Sequence, residues 1–600
     1  MIEIFKKYAS LLNRRPGDSF KIVAILVLLV FSSIFEAIGI GLVMPFVALI
    51  ERPQLANEIS SLRWVVRTLH LQSSQQVLTV AGLALLAVFI AKNAYLGFAM
   101  TTQLRFVFNR MTLVSRGLLL SYLHRPYTYF LQKNSAELVK NISSESAGLF
   151  YSGVPAAFAI FVETLTIIVI VVTMFVIEPV AVPVVGLLIG GGAYWVQRLY
   201  RKQNTALGAE VRGAMSEMTQ HGNQAFGAIK ESRVIGCEAA FADEFDRSSQ
   251  RHALATRKHR TLMQLPRMVL ETFGVAGLVL LTIIVIGRGG SPDRLLPLIG
   301  MMALAIIRIL PSAIRMLNAI GDLRYFSTTI DSIIDDLNYL DAYTKEARND
   351  KGELRFEEKL AFEHVSFTYP DAPKPAISDI SLEFKRGEVV AFIGGTGAGK
   401  TTLVDVLIGL LSPTSGRITV DGVALTKENT RAWQRSIGYI SQQVYLLDDS
   451  LRRNVALGVA DQDIDEARLQ HAVKIARLDK LVASMPEGLA STVGERGVRL
   501  SGGQRQRIGI ARAMYLDPAV LVLDEATSSL DNVTENEVVE EIEAARGDRT
   551  MFVIAHRLST VRRCDRLVFL EHGRVAHVGT WDELLEKSEE FRRLVSLGSV

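Results

Sequence analysis

The chain contains few cysteines and carries little net charge. Only Cys237 and Cys564 occur among its 600 residues. Both fall in segments that are predicted below to be cytoplasmic, where disulfides rarely persist, so no bridge is expected. The 66 basic residues nearly balance the 62 acidic ones and leave a net charge of +4. A charge this small for the length gives no reason to expect nucleic acid as a partner.

The sequence also lacks low-complexity tracts, repeats and any added peptidase or substrate-binding domain. A chain of 600 residues exceeds one ordinary hydrophobic core, so at least two domains are expected. Its mean hydropathy of +0.25 is unusual for a soluble protein. The apolar excess lies in the first 325 residues, which predicts that the front part of the chain is built for a membrane.

Long apolar stretches recur through this front part, and each is long enough to cross a bilayer as a helix. The first is too long for a signal peptide, carries Glu36 and lacks a small-residue cleavage site. Six spans are therefore predicted. The stretches are 22–50, 77–100, 157–177, 180–196, 269–286 and 295–317.

The placement of basic residues predicts the orientation of the spans. Lysines and arginines lie before the first span and between the second and third, and segments rich in these residues stay in the cytoplasm. They are Lys6, Lys7, Arg14, Arg15, Arg105, Arg110, Arg116, Arg125, Lys133 and Lys140. We expect an integral membrane protein of a bacterial inner membrane. These basic segments, the long segment between the fourth and fifth spans and the polar C-terminal part are expected in the cytoplasm.

A glycine-rich loop marks the C-terminal part. The apolar segment VVAFI at 389–393 predicts a strand, GGTGAGKTT follows at 394–402, and an apolar helical pattern begins at Leu403. In this position glycines let backbone N–H groups turn toward a phosphate. Lys400 supplies positive charge for the β- and γ-phosphates, and the Thr401 hydroxyl can ligate Mg²⁺. The loop predicts ATP and Mg²⁺ as cofactors.

Two further motifs follow the loop. The run AVLVLDE at 519–525 predicts a buried strand that ends in two carboxylates. Asp524 can hold the metal and Glu525 can polarise water, since ligands collect at the carboxyl ends of such strands. The run LSGGQ at 500–504 precedes a basic helical segment and makes a second phosphate cradle. One subunit needs a single cradle, so the second indicates a second subunit.

These motifs resemble the ATP-binding cassette of ABC transporters, from about residue 354 to the end of the chain. The resemblance implies an all-α domain of six transmembrane helices, an α/β P-loop cassette and a functional dimer. It implies catalytic roles for Glu525, His556 and Gln442 and a Mg²⁺ site at Thr401, Gln442 and Asp524. The nucleotide-binding positions that it implies are Tyr369, Gly394, Gly395, Thr396, Gly397, Ala398, Gly399, Lys400, Thr401, Thr402, Ser501, Gly502, Gly503, Gln504 and Asp531.

Some positions have a simpler interpretation or depart from the cassette pattern. Tyr369 taken alone is typical of a packed surface aromatic, and His556 taken alone of a core histidine. Thr396 and Thr401 stand where serine is common, and Ser441 replaces a frequent proline. All three retain or add a hydroxyl, so ATP hydrolysis is still expected. Because Glu525 and the LSGGQ run are both intact, one kind of chain can form two competent sites, which favours a homodimer.

The expected domains are a transmembrane domain at 1–325, a linker at 326–353 and a cassette at 354–600. Two polar segments, 126–142 and 226–236, look like the short coupling helices with which ABC exporters touch their cassettes; ordinary loops are the alternative. The amphipathic pattern at 59–71 predicts an external helix that lies flat on the outer leaflet or packs on the spans.

The spans contain cations, which are costly at mid-membrane by about 2.5 to 3.5 kcal/mol and usually face a wet cavity or a partner. Lys92, Arg267, Arg308 and Arg315 are the candidates for a substrate cavity. Arg308 and Arg315 are separated by two helical turns and so share one face, which suits a phosphate or pyrophosphate. The alternatives are that the arginines extend to the cytoplasmic interface or that they pair with the carboxylates of Glu36, Glu163 and Glu271.

Several runs, among them IRILPSAIRML at 307–317 and GYISQQVYLLDDS at 438–450, resemble PglK-type flippases, which move polyprenyl-diphosphate-linked oligosaccharides. Where that family has an arginine in the second span, this chain has Lys92, which keeps the charge and loses the planar fork. The resemblance implies an ATP-driven flippase that moves such a lipid-linked oligosaccharide to the outer leaflet within membrane lipids. Two alternatives remain, an ABC exporter of other lipids, peptides or drugs and a non-transporting ATP-gated channel or regulator.

Overall fold

The computed structural model describes residues 2–42, 46, 49–50, 73–177, 181–287, 292–347, 354–494, 497, 500–524, 540, 549–554 and 558–596. These residues form two compact units. The first unit contains Met1–His124 and Lys133–Ala342, and the second contains Arg125–Gln132 and Tyr343–Val600. The predicted external helix at 59–71 lies outside the described residues, so its existence stays a prediction.

The first unit is helical in all its described elements. Helix α1 precedes the apolar helix α2, and α3 is a single long helix. Residues from Ser135 to Ile177 are helical throughout, with two π-helical turns between α5, α6 and α7. The bounds are α1 Ile2–Leu12, α2 Asp18–Gly41, α3 Ser74–Leu123, α5 Ser135–Lys140, α6 Ser146–Gly148, α7 Val154–Ile177, α8 Ala181–Gly227, α9 Ile229–Ile235, α10 Glu238–Gly287, α11 Pro292–Tyr325 and α12 Ser327–Ala347. Helix α4, Tyr127–Gln132, belongs to the second unit.

Among the described residues, three helical stretches are long and apolar enough to cross a membrane. They are Asp18–Glu36, Ser74–Leu123 and Ser135–Val172, and an 18-residue segment within each has a mean hydropathy of 2.1, 2.0 and 2.4, respectively. They overlap the first three predicted spans. The described parts of the other three predicted spans lie in α8, α10 and α11. The count of six stays a prediction.

Most of the predicted linker is helical. The helix α12 buries Ile330, Ile333 and Leu337. These positions recur at helical spacing and form a narrow apolar face, which the charged residues around them hid in the sequence. The role of this segment as a linker between the domains stays a prediction.

The second unit has two sheets and flanking helices. The smaller sheet has the order β2-β1-β4-β5, and the larger has the order β10-β9-β3-β8-β7-β6. In the larger sheet β9, β3, β8, β7 and β6 are parallel, and β10 is antiparallel to β9. The strands are β1 Lys359–Phe367, β2 Ile377–Lys385, β3 Val389–Ile393, β4 Ser415–Val420, β5 Val423–Ala424, β6 Ile437–Ile440, β7 Val520–Asp524, β8 Thr550–Ile554, β9 Arg566–Glu571 and β10 Arg574–Gly579.

Strands β3, β7 and β8 are buried along their whole length, as expected for continuous apolar runs at the centre of a parallel sheet. The carboxyl ends of these strands lie at one edge of the sheet. There β3 leads into the P-loop, and β7 ends at Asp524. The helices of this unit are α13 Lys400–Leu407, α14 Thr430–Arg435, α15 Leu451–Val455, α16 Glu466–Ile475, α17 Asp479–Ser484, α18 Gly502–Tyr515, α19 Leu558–Val561, α20 Trp581–Lys587 and α21 Glu589–Ser596.

Candidate nucleotide-binding site

The predicted phosphate loop joins the end of β3 to the start of α13. Gly394, Gly397 and Gly399 all have positive φ, at 147°, 80° and 98°. A Cβ on Gly394 would lie 2.3 Å from the Leu570 carbonyl oxygen, and one on Gly399 would lie 2.8 Å from that of Ala376. Side chains at these two positions would clash with backbone, so the tight loop requires glycine.

Lys400 is buried at the start of α13, with 7% of its surface exposed. Its Nζ donates hydrogen bonds to the carbonyl oxygens of Gly394, at 2.5 Å, and Gly395, at 3.4 Å. The loop borders a cavity of about 420 Å³ lined by Ala376 and residues 395–402. A buried ammonium held over a glycine cradle fits a triphosphate, whose negative charge it can bind together with the N–H groups of the loop.

Tyr369 lies against the same loop. Its hydroxyl is 3.1 Å from the Thr402 hydroxyl, and its ring packs edge-on against Phe367 with centroids 5.0 Å apart. The first contact ties Tyr369, a predicted nucleotide-binding residue, to the P-loop. The cassette resemblance implied this position, and the structure places it beside the loop.

Asp524 ends β7 with 8% of its surface exposed. The Tyr439 hydroxyl donates a hydrogen bond to its Oδ2 at 3.0 Å. Burial, and then the negative charge of Asp524, raise the pKa of Asp405 on α13 to about 6. The sequence analysis missed both Tyr439 and Asp405. The sequence signal available for Tyr439 was its place on the strand just before Gln442.

Magnesium would be held here by few protein ligands. Among the described residues no group of three or more His, Cys, Asp or Glu side chains could hold a metal ion. Mg²⁺ commonly uses one or two protein oxygens together with waters and substrate phosphates, so Thr401 and Asp524 fit it. Gln442 follows β6 and is exposed. Glu525, Asp531 and His556 lie outside the described residues, and their roles stay predictions.

The LSGGQ run caps α18. Ser501 Oγ accepts from the Gln504 N–H at 3.2 Å, and the Ser501 N–H donates to Gln504 Oε1 at 2.8 Å. This reciprocal pair is a capping box, a role of the motif that the sequence analysis missed. Leu500 and Gln504 line a separate cavity of about 530 Å³. Within the described residues, the phosphate loop and the LSGGQ run therefore line different cavities.

Two of the span cations are paired with carboxylates. Arg315 makes a two-pronged contact with Glu163, through Nε to Oε1 and through a terminal nitrogen to Oε2 at 3.0 Å. Arg267 Nε donates to Glu271 Oε1 at 2.8 Å, one turn away on α10. The pairing alternative is confirmed for both arginines. Whether they also contact a substrate stays a prediction.

Lys92 and Arg308 are the other two predicted cavity cations of the spans. Lys92 Nζ lies 5.0 Å from the centre of the Phe89 ring, a cation–π contact on its own helix. The side chain of Arg308 lies outside the described part of α11. The structure therefore does not gather the four predicted cavity residues into one described site.

Comparison with known proteins adds to this geometry. A family model described as "ABC transporter" matches residues 377–528. An ATP-dependent lipid A-core flippase of Ralstonia nicotianae is 47% identical over 38% of this chain, and the match spans only 39% of that relative's length. A lipid A-core flippase of Alkalilimnicola ehrlichii is 31% identical over 79% of this chain and 80% of its own length. This chain belongs to the ABC transporters.

The match to the second relative reaches well beyond the cassette, so it includes much of the transmembrane part. The structure of a bacterial Atm1-family ABC exporter with ATP bound has a TM-score of 0.77 and covers 96% of this transporter, and this transporter covers 98% of that chain. At 20% identity this likeness shows the fold alone. The transporter thus has the ABC exporter fold, with a helical membrane region and an ATP-binding cassette, as the sequence predicted. Its family couples ATP hydrolysis to the movement of substances through a membrane.

Proposed function

We propose that this transporter is a homodimeric, ATP-driven flippase in a bacterial inner membrane. Its proposed cargo is an amphipathic lipid with a phosphorylated headgroup, and the more specific candidate is a polyprenyl-diphosphate-linked oligosaccharide. The lipid would move from the cytoplasmic to the outer leaflet. The observation that carries this proposal is a half-exposed arginine in the membrane region, Arg315.

Arg315 lies on α11 and is held by Glu163 on α7. Glu163 is nearly buried, with 8% of its side chain exposed, whereas Arg315 is 52% exposed despite the contact. Ser312 also accepts from Arg315 at 3.2 Å, so the guanidinium has a fixed orientation. A cation with an open side in an apolar span is costly unless it faces water or an anion. Its planar donors suit a phosphate oxygen, which supports an anionic headgroup.

The nucleotide would be held by the residues of the P-loop. Its N–H groups and Lys400 would bind the phosphates, and Tyr369 would contact the base. Mg²⁺, when bound, would neutralise charge on the phosphates near Thr401, Gln442 and Asp524. Glu525 would orient the attacking water, with His556 beside it. These roles are proposals for which the geometry of Lys400, Tyr369 and Asp524 is the support.

A second copy would complete the site. The proposed partner's LSGGQ run would meet the phosphates, which agrees with the separate cavities of the two motifs. Helix α9 supports the same conclusion, since Phe226, Val234 and Ile235 around it are 79%, 81% and 74% exposed. Apolar surface this open marks an interaction site. We propose that it docks on the cassette of the second copy as a coupling helix.

A lipid A-core type glycolipid is the second candidate cargo. The names of the relatives favour it, and its phosphates offer the same anionic chemistry to Arg315. Peptides and drugs remain weaker alternatives, because neither requires an arginine in the spans. A non-transporting channel or regulator is also weaker, because the P-loop and Asp524 retain the residues for hydrolysis.

The test is ATP-dependent translocation in proteoliposomes. One set would contain a labelled polyprenyl-diphosphate oligosaccharide and the other a labelled lipid A-core glycolipid, with the Glu525→Gln protein as control. We expect the active protein to move the first lipid and the control to move neither. Movement of the glycolipid alone would select the second candidate. Intact ATPase activity with no movement of either lipid would reject the proposed cargo class.

A further inference from the structure

Tyr439 contacts a carboxylate that the site needs. It lies on β6, where it stands opposite Val522 in the parallel pairing of β6 with β7. From there its hydroxyl donates a hydrogen bond at 3.0 Å to Oδ2 of Asp524, the last residue of β7. One oxygen of the proposed metal ligand is therefore already oriented by a neighbouring strand.

Tyr439 is the most open residue of its strand. Ile437, Gly438 and Ile440 of β6 are buried, whereas 37% of the surface of Tyr439 is exposed. Its side chain is therefore partly packed, and its hydroxyl makes a specific contact with the carboxylate. An ionised carboxylate can only accept a hydrogen bond, so the tyrosine hydroxyl is the donor.

We propose that Tyr439 is a positioning residue that fixes the Asp524 carboxylate for Mg²⁺. Residues that hydrogen-bond a metal ligand set its orientation and basicity, and their loss typically costs roughly 10-fold to 100-fold in metal affinity or activity. The inference rests on the proposed ATP binding and is independent of the cargo.

The test compares Tyr439→Phe with Tyr445→Phe in the full-length protein. The first change removes only the hydroxyl, and the second removes a hydroxyl from an exposed tyrosine on the loop after β6. Binding of Mn²⁺ with saturating ADP would be followed by electron paramagnetic resonance, and ADP binding would also be measured without metal. We expect Mn²⁺ to bind roughly tenfold more weakly to Tyr439→Phe, with metal-free ADP binding unchanged. Tyr445→Phe should match the wild type in both.

Unchanged Mn²⁺ affinity in Tyr439→Phe would overturn the proposal. An equal loss of metal-free ADP binding would also overturn it, because that outcome indicates a general change in the site. Absence of ADP binding in the wild type would instead reject the proposed function. In hydrolysis, the Mg²⁺ concentration for half-maximal rate should rise while the KM for ATP stays the same.

Discussion

The nucleotide site and the cations of the spans are two charged regions that follow different rules. In the cassette, Lys400 is buried and its ammonium donates to the backbone carbonyls of Gly394 and Gly395, at 2.5 and 3.4 Å. In the spans, Arg315 is half exposed and contacts a carboxylate, Glu163. The first cation lies in the wall of a cavity that the glycine loop forms, and the second pairs with a carboxylate on another helix. A cation in a sequence therefore indicates a ligand site only together with the backbone that surrounds it.

The largest effect is expected from Lys400→Ala, which removes the positive charge of the loop. We expect the ATPase rate to fall by about 100-fold or more, the usual cost of losing a preorganised electrostatic contact to the reacting phosphates. Lys374→Ala, at an exposed position before β2, is the matched control and should retain the wild-type rate. A phosphate-release assay in nanodiscs measures both. Wild-type turnover in Lys400→Ala would contradict the assigned site.

The second prediction tests whether the Arg315 contact is structural. Glu163→Leu leaves the guanidinium without its carboxylate, and we expect a loss of about 2 kcal/mol of stability. This is below the cost for a fully buried pair because Arg315 is half exposed. The double variant Glu163→Leu/Arg315→Leu should recover most of the loss. Thermal unfolding in detergent reports both changes.

The double variant also separates structure from cargo. We expect it to fold and to hydrolyse ATP while lipid translocation stops, since the guanidinium is gone. Translocation at the wild-type rate would assign Arg315 to structure alone. If Glu163→Leu were as stable as the wild type, the contact between Glu163 and Arg315 would contribute nothing to the free energy of unfolding.

The cassette was more predictable from sequence than the spans because its motifs are local. The P-loop, its flanking strand and its helix follow from a run of nine residues at 394–402. The Arg315 contact joins residues that are 152 positions apart, and no periodicity selects Glu163 over Glu36. The Asp524 contact joins positions that are 85 apart, so the sequence showed where Tyr439 lies on its strand but not which residue it contacts. Contacts of this kind are set by tertiary packing.

Local patterns can also hide a second role. Ser501 and Gln504 were assigned to phosphate binding, and both also close the capping box of α18. The same short spacing serves both purposes, since a capped helix start presents N–H groups to an anion. At 327–347 the charged residues concealed an apolar face, so the helix α12 was missed. The sequence therefore predicts which elements exist better than it predicts what each one contacts.

The third prediction concerns a carboxyl outside the predicted spans. Burial raises the pKa of Asp322, near the end of α11, to about 6, although the charge of Arg260 opposes this shift. The folded state then binds this proton more tightly than the unfolded state does. Its contribution to stability is full below about pH 4 and is lost as the pH rises through about 6.

Asp322→Asn removes the buried charge at neutral pH. We expect the variant to be more stable than the wild type at pH 7.5, by up to about 2 kcal/mol, with the difference shrinking toward pH 5. Melting temperatures measured across this range test the sign. An equal or larger difference at pH 5 would mean that Asp322 does not titrate as proposed. Tyr8 and Tyr325 also lie near this carboxyl and remain unchanged in the variant.

The smallest effect on stability is expected at the other paired arginine of the spans. Arg267 and Glu271 are one turn apart on α10, and their side chains are 64% and 47% exposed. Exposed pairs of this kind contribute about 0.5 kcal/mol or less, so Arg267→Ala should unfold at nearly the wild-type temperature. We expect ATPase activity to be retained and lipid translocation to fall partly, because the cavity prediction includes this residue. Full translocation in a stable protein would remove Arg267 from the proposed cavity and leave Arg315 as its described cation on α11.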